Sequence, residues 1–100
     1  MNMLNSVILE GVVSIGINIW GEFYVDSTTS EKVGEDITEV KTRVKCLITN
    51  TLFVSECGKI TEQRQLRVIG FLENIRGEVG IHAEHIEYKP SYKIHKESTK

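Results

Sequence analysis

The sequence predicts an all-β domain with one small helical segment, and three observations point there. Most of the chain alternates apolar and polar residues with a period of two, or runs in short β-branched stretches. Glycines punctuate these runs, and the only proline is Pro90. The length of 100 residues, with hydrophobic residues at 40% and charged residues at 26%, fits one globular core and excludes disorder, coiled coil and collagen-like repeats for the whole chain. A domain of this size buries only about 60–70% of the surface its unfolded chain exposes. A surface-binding module is therefore expected, rather than an enzyme that engulfs its substrate.

The first strand is expected over residues 6–13, with Val7, Leu9 and Val12 inward and Gly11 at a bend or bulge. Ile15, Ile17 and Ile19 continue the alternation towards Trp20 and Gly21. The second strand restarts over residues 23–28, with Phe23, Val25 and Ser27 on one side and Tyr24 and Asp26 on the other. Residues 30–36 are polar and charged and read as a solvated loop. In a third strand over residues 38–49, Val40, Thr42, Val44, Cys46 and Ile48 alternate with Lys41, Arg43, Lys45 and Leu47, so the two faces differ in chemistry.

Residues 52–64 are the one expected helix, since Phe53, Cys57 and Ile60 fall at i, i+4 and i+7. Gly58 weakens that helix by about 1 kcal/mol relative to alanine. The last two strands are residues 66–74 and 79–88, joined through Ile75, Arg76, Gly77 and Glu78 by a short hairpin whose glycine suits positive φ. The inward phases of these strands put Val7, Leu9, Phe23, Val25, Val44, Cys46, Val68 and Ile86 in or beside the core. Five strands with a helix between the third and fourth is the order of a five-stranded OB-fold barrel. Residues 1–90 are assigned to it, with residues 91–100 as a short, basic, flexible tail.

The net charge of −2 is uneven: from Lys89 onward four lysines face one glutamate, a net +3, leaving the body at −5. A body of that sign disfavours indiscriminate attraction to nucleic acid, so such binding requires a local basic stripe. No apolar run reaches the roughly 18 residues that span a bilayer, and the start, MNMLNSVILEG, has neither a basic n-region nor a small-residue cleavage site. A cytoplasmic protein without membrane partners is expected, and Cys46 and Cys57 are read as thiols.

Three segments carry a family resemblance. Asn5-Ser6-Val7-Ile8-Leu9-Glu10-Gly11 resembles the opening strand of bacterial single-stranded DNA-binding proteins; Leu66-Arg67-Val68-Ile69-Gly70-Phe71-Leu72 resembles their fourth strand, and His82-Ala83-Glu84-His85-Ile86-Glu87-Tyr88 their fifth. The Gly-Phe and His-Ala-Glu-x-Ile-Glu pieces are also similar to primosomal replication protein B, a short dimeric relative. The resemblance spans roughly residues 4–90. It implies an OB fold, single-stranded DNA as partner, a homodimer or homotetramer assembled through first-strand edges, replication proteins as further partners, and no cofactor.

Three departures accompany it. The family's third strand commonly carries stacking aromatics where this chain has Lys41, Lys45 and Leu47. The hairpin between the fourth and fifth strands is cut short, and the acidic, aromatic tail tip that recruits partners is replaced by a basic tail.

Lys41, Arg43 and Lys45 are the leading site residues, because alternate strand residues share a face and space cations about 7 Å apart, like a phosphate backbone. A solvated sheet face is the plain alternative. If each neutralises a phosphate, replacing all three is expected to flatten the salt dependence of binding by roughly 2 units with folding intact. Trp20 and Tyr24 are candidates for base stacking, against a core or subunit-contact role for the tryptophan. Arg76 at the hairpin tip and Lys32 in the polar loop stand where the resemblance implies contacts to the strand.

His82 and His85 lie three apart, so on an unbroken strand they face opposite ways and cannot share a metal. No phosphate loop, nucleophile elbow or zincin motif occurs in the sequence. Binding without catalysis is expected, with a primosome-type accessory role or a protein-interaction module as the alternatives.

Overall fold

The computed structural model describes residues 5–90, so the expected tail, residues 91–100, lies outside the described residues. Five strands and one helix follow in order: β1 (Val7–Ile15), β2 (Glu22–Val33), β3 (Asp36–Leu47), α1 (Asn50–Glu56), β4 (Gln65–Ile75) and β5 (Glu78–Tyr88). The strands close into a barrel in the order β1-β2-β3-β5-β4. Closure depends on β1 serving two neighbours. Val7 to Val12 pair with β4, and Val12 to Ile15 pair with β2. A Cβ at Gly11, where β1 passes from one to the other, would lie 2.2 Å from the Asp26 carbonyl oxygen, so only glycine allows the approach. The second closure is a short parallel contact, Cys46 and Leu47 opposite Ile81 and His82.

All eight expected core residues lie in or beside the core. Phe23, Val25, Cys46, Val68 and Ile86 are buried, and Val7, Leu9 and Val44 pack against them half-buried. Val13, Ile48, Ile60, Leu66, Ile81 and Ala83 complete the cluster. In β1 the inward residue is Val13 and not Val12. The period of two runs unbroken from Val7 through Leu9 and Gly11, and the glycine preserves the phase instead of shifting it.

Three other expectations are corrected. The alternation of Ile15, Ile17 and Ile19 does not continue as a strand: residues 16–21 form a loop in which Ile17 packs on the core and Ile19 is exposed. Asn18 builds this loop, its Oδ1 accepting from the backbone N–H groups of Trp20 and Glu22, each at 2.9 Å. Residues 30–36 are not a free loop either. β2 and β3 stay paired to Val33 opposite Asp36, turning through Gly34 at φ 65°. Residues 28–39 are exposed, and a two-stranded ribbon satisfies its own backbone there without needing an apolar face.

The helix is seven residues long instead of thirteen. Beyond Gly58 the chain drops Ile60 into the core, and residues 63 and 64 pair with β1: Gln63 N–H donates to the Val13 carbonyl and Val13 N–H to the Arg64 carbonyl, both at 2.9 Å. Those backbone groups serve barrel closure and are lost to a longer helix. The β4–β5 hairpin follows its sequence signal, with Arg76 and Gly77 both at positive φ, 52° and 88°.

Both cysteines are free thiols, Cys46 buried and Cys57 half-buried. Burial pushes the Cys46 thiol up from 9.0 to about 12, so the fold holds it neutral. The stability this contributes is complete below pH 9 and falls as the pH rises towards 12, because the unfolded chain then releases a proton the folded one keeps. Iodoacetamide is expected to label Cys57 in the folded protein and Cys46 only after denaturation, as read by mass spectrometry. No helix among the described residues is long and apolar enough to cross a membrane.

Candidate nucleic-acid interface

The register of β2 against β3 sets out the candidate residues in rungs: Tyr24 opposite Lys45, Asp26 opposite Arg43, Thr28 opposite Lys41 and Lys32 opposite Ile37. These side chains share the outer face of the ribbon and barrel, since Phe23 and Val25 point inward. Lys41 and Arg43 are exposed, but the Lys45 side chain is only 9% exposed. Its Nζ donates to the Ile75 carbonyl at 3.5 Å, lies 3.6 Å from Glu78 Oε1 and sits 5.9 Å from the centre of the Tyr24 ring. Lys45 therefore belongs to the barrel wall, and the solvent-facing stripe consists of two cations.

Arg43 donates from Nε to Asp26 Oδ1 at 3.0 Å, and this hydrogen bond holds the Asp26 carboxyl below the usual carboxylate range. Lys41 makes no ion pair among the described residues.

A second group forms where the β1–β2 loop meets the β4–β5 hairpin. Trp20 is 58% exposed, and the Arg76 guanidinium lies 4.8 Å from its ring centre. Arg76 Nε is 3.4 Å from Glu22 Oε2, whose side chain is nearly buried. The Tyr24 hydroxyl donates to Glu78 Oε1 at 3.5 Å. Trp20, Arg76, Tyr24 and Lys45 thus come together, while Lys32 stands apart near the ribbon tip. Sequence reading missed Glu22, Asp26 and Glu78 as their partners. Asp26 opposite Arg43 follows from the strand register, whereas Glu22 with Arg76 needs the closed barrel.

The two histidines correct the expectation of opposite faces. Ile69 pairs with His85 but Gly70 with Ala83, leaving Glu84 as a bulge. Ala83 and Ile86 are both buried, so the bulge turns Glu84 and His85 outward together. His82 nevertheless engages Glu73 through Nδ1 at 2.5 Å and Thr49 through Nε2 at 3.3 Å, while His85 lies 3.4 Å from Glu87. No cluster of three metal-ligating side chains occurs among the described residues.

No protein-family model and no curated protein matches the sequence. Solved structures do match in fold. A small single-stranded DNA-binding protein from Streptomyces coelicolor superposes with a TM-score of 0.72 at 15% identity, covering 88% of this chain and 96% of that one. The single-stranded DNA-binding protein of Plasmodium falciparum, solved with single-stranded DNA, gives 0.70 at 13% identity over 90% and 98%. The dimeric N-terminal domain of PriB from Thermoanaerobacter tencongensis gives 0.56 at 19% identity over 87% and 98%. The barrel is an OB fold. In this OB fold Lys41 and Arg43 both lie on the third strand, opposite Thr28 and Asp26 of the second.

Proposed function

We propose that this chain binds single-stranded DNA through the outer face of β2 and β3, with little sequence preference along the backbone, in DNA replication, recombination or repair. The activity is sequestration without catalysis, needs no cofactor and takes place in the cytoplasm. The observation that carries this reading is that half-buried Tyr24 shares the outer β2–β3 face with the Lys41–Arg43 stripe, while exposed Trp20 stands in the loop that leads into β2. Stacking on such rings is worth roughly 1–3 kcal/mol per base and tolerates any sequence. Arg76 and Lys32 are assigned to the outer parts of the strand's path, and Lys45 to holding Tyr24 in place.

Titration with labelled oligo-dT at low and moderate salt tests the reading. Binding that weakens with salt and quenches the fluorescence of Trp20, the single tryptophan, is expected. An unchanged spectrum and anisotropy at low salt would refute it.

A second reading, a primosome-type accessory or protein-interaction module, is favoured by one specific observation. Three of the candidate cations, Arg43, Lys45 and Arg76, are already paired with Asp26, Glu78 and Glu22. A pull-down with replication proteins separates it from simple sequestration.

We also propose a homodimer or homotetramer. The β1 segment from Val7 to Gly11 is paired with β4 on one side only, and exposed Ile8 lies within it. Sedimentation at tens of micromolar is expected to show at least a dimeric mass, and a strictly monomeric mass rejects this assembly.

A further inference from the structure

Two tight turns built on asparagines bring three side chains together where β2 begins. Asn18 Oδ1 accepts from the backbone N–H groups of Trp20 and Glu22, each at 2.9 Å, and so ties the tryptophan to the first residue of β2. Asn74 Oδ1 accepts from the Gly77 N–H at 2.9 Å and fixes the β4–β5 hairpin, where Arg76 stands at a left-handed φ of 52°. The first turn presents Trp20 and Glu22, and the second carries Arg76 onto both.

Each contact takes a different part of the guanidinium. Its carbon lies 4.8 Å from the centre of the Trp20 ring, within cation–π range. Its Nε is 3.4 Å from Glu22 Oε2. Arg76 donates no hydrogen bond to another group among the described residues, and its side chain is 58% exposed, so the Nη1–Nη2 edge stays open to a ligand.

The Glu22 side chain, by contrast, is only 9% exposed. A carboxylate buried that far is costly unless it is paired, and beside a path for DNA it also repels phosphate. Its presence there is explained if it holds the guanidinium in one attitude. A phosphodiester carries two non-bridging oxygens that match the parallel N–H donors of a guanidinium edge. Trp20, with one face under Arg76 and the residue still 58% exposed, keeps its other side for a base.

We propose that Trp20 and Arg76 form one subsite for a single nucleotide unit of the bound strand, with Glu22 as its positioning residue. The base stacks on the open side of Trp20, and a neighbouring phosphate meets the Nη1–Nη2 edge of Arg76, which Glu22 holds in place through Nε. This rests on the single-stranded DNA reading above and deepens it at one nucleotide.

The sign of the effect at Glu22 separates positioning from charge. Loss of a carboxylate near a phosphate strengthens binding by Coulomb attraction alone. Loss of a positioning residue weakens it, because the freed arginine must be immobilised again on binding.

The test is anisotropy with end-labelled oligo-dT at low and moderate salt. Glu22→Gln is expected to bind about 2- to 10-fold more weakly than the unaltered protein, the cost of immobilising one long side chain. Arg76→Lys, which keeps the charge but not the planar fork, is expected to keep the salt slope and to lose on the order of tenfold in affinity. In an Arg76→Ala background, Glu22→Gln is expected to cause no further loss, since Glu22 acts only through Arg76.

Unchanged or tighter binding by folded Glu22→Gln overturns the positioning role, and so does a loss that adds to that of Arg76→Ala. Unchanged affinity in Arg76→Lys overturns the subsite and leaves the general reading standing. Absence of binding by the unaltered protein overturns the general reading itself. If Glu22→Gln does not fold, Arg76→Lys, at an exposed position, decides.

Discussion

Alanine in place of Gly70 is expected to cost the barrel a large part of its stability. Gly70 lies on β4 opposite Ala83, beside the β5 bulge, and a Cβ there would stand 2.0 Å from the His82 carbonyl oxygen and 2.9 Å from the Ala83 Cα. Both obstacles are backbone atoms in a hydrogen-bonded ladder, so neither can move aside as a side chain would. Overpacking a core typically costs 1–3 kcal/mol, and an overlap with backbone exceeds that, about 4 kcal/mol or more. Domains of this size are stable by roughly 5–15 kcal/mol, so a large part of the margin is lost. Urea denaturation followed by circular dichroism measures it. Gly58→Ala, where a Cβ meets nothing within 4 Å, is the control and should stay within about 0.5 kcal/mol of the parent. A wild-type midpoint for Gly70→Ala would show that β4 and β5 do not approach this closely.

The double replacement Lys41→Ala with Arg43→Ala is expected to give the largest loss of oligo-dT binding. Each phosphate contact contributes about 0.7 to the slope of log affinity against log salt, so two flatten it by roughly 1.4 and lower affinity by ~10- to 100-fold at low salt. Both side chains are exposed, and the variant should fold normally. Lys45 does not add a third contact on the same terms. It is buried against Ile75 and Glu78, and Lys45→Ala is expected to cost about 1–3 kcal/mol of stability by leaving those acceptors unsatisfied. The simpler expectation from the sequence, three surface cations and an untouched fold, is thereby revised. An unchanged slope in the folded double variant would make the stripe an ordinary solvated face.

What was legible in the chain was whatever a local period or turn signal encodes. The alternation around Phe23 and Val25, that around Val44 and Cys46, and the glycine of the β4–β5 hairpin all lie where the pattern put them. Hidden features depend on distant partners. Lys45 reads as a surface cation because its neighbours Val44 and Cys46 point inward, yet the Ile75 carbonyl, thirty residues away, folds over it. Residues 30–36 read as a loop because polarity on both faces is what a loop shows, and only the complete register with β3 makes them strand. The helix reading failed for a similar reason, since Gln63 and Arg64 are claimed by Val13 across the barrel. For the candidate site, residue types were visible, while the ion pairs that occupy Arg43 and Arg76 were not.

The division of β1 between two partners also bears on how the chain reaches this state. The β2–β3 and β4–β5 pairs are each neighbours in sequence joined by tight turns, and their contacts can zip at once. β1 pairs Leu9 with Val68 and Val7 with Gly70, so its ladder to β4 forms only after a loop spanning more than half the chain has closed. Such non-local pairing places barrels of this kind among the slow folders, in the range of milliseconds to seconds. The two hairpins are therefore expected to form early and the seam along β1 late. Until that seam closes, the β4 edge is open to the first strand of another molecule, so recruitment of a second chain competes with completion of the first.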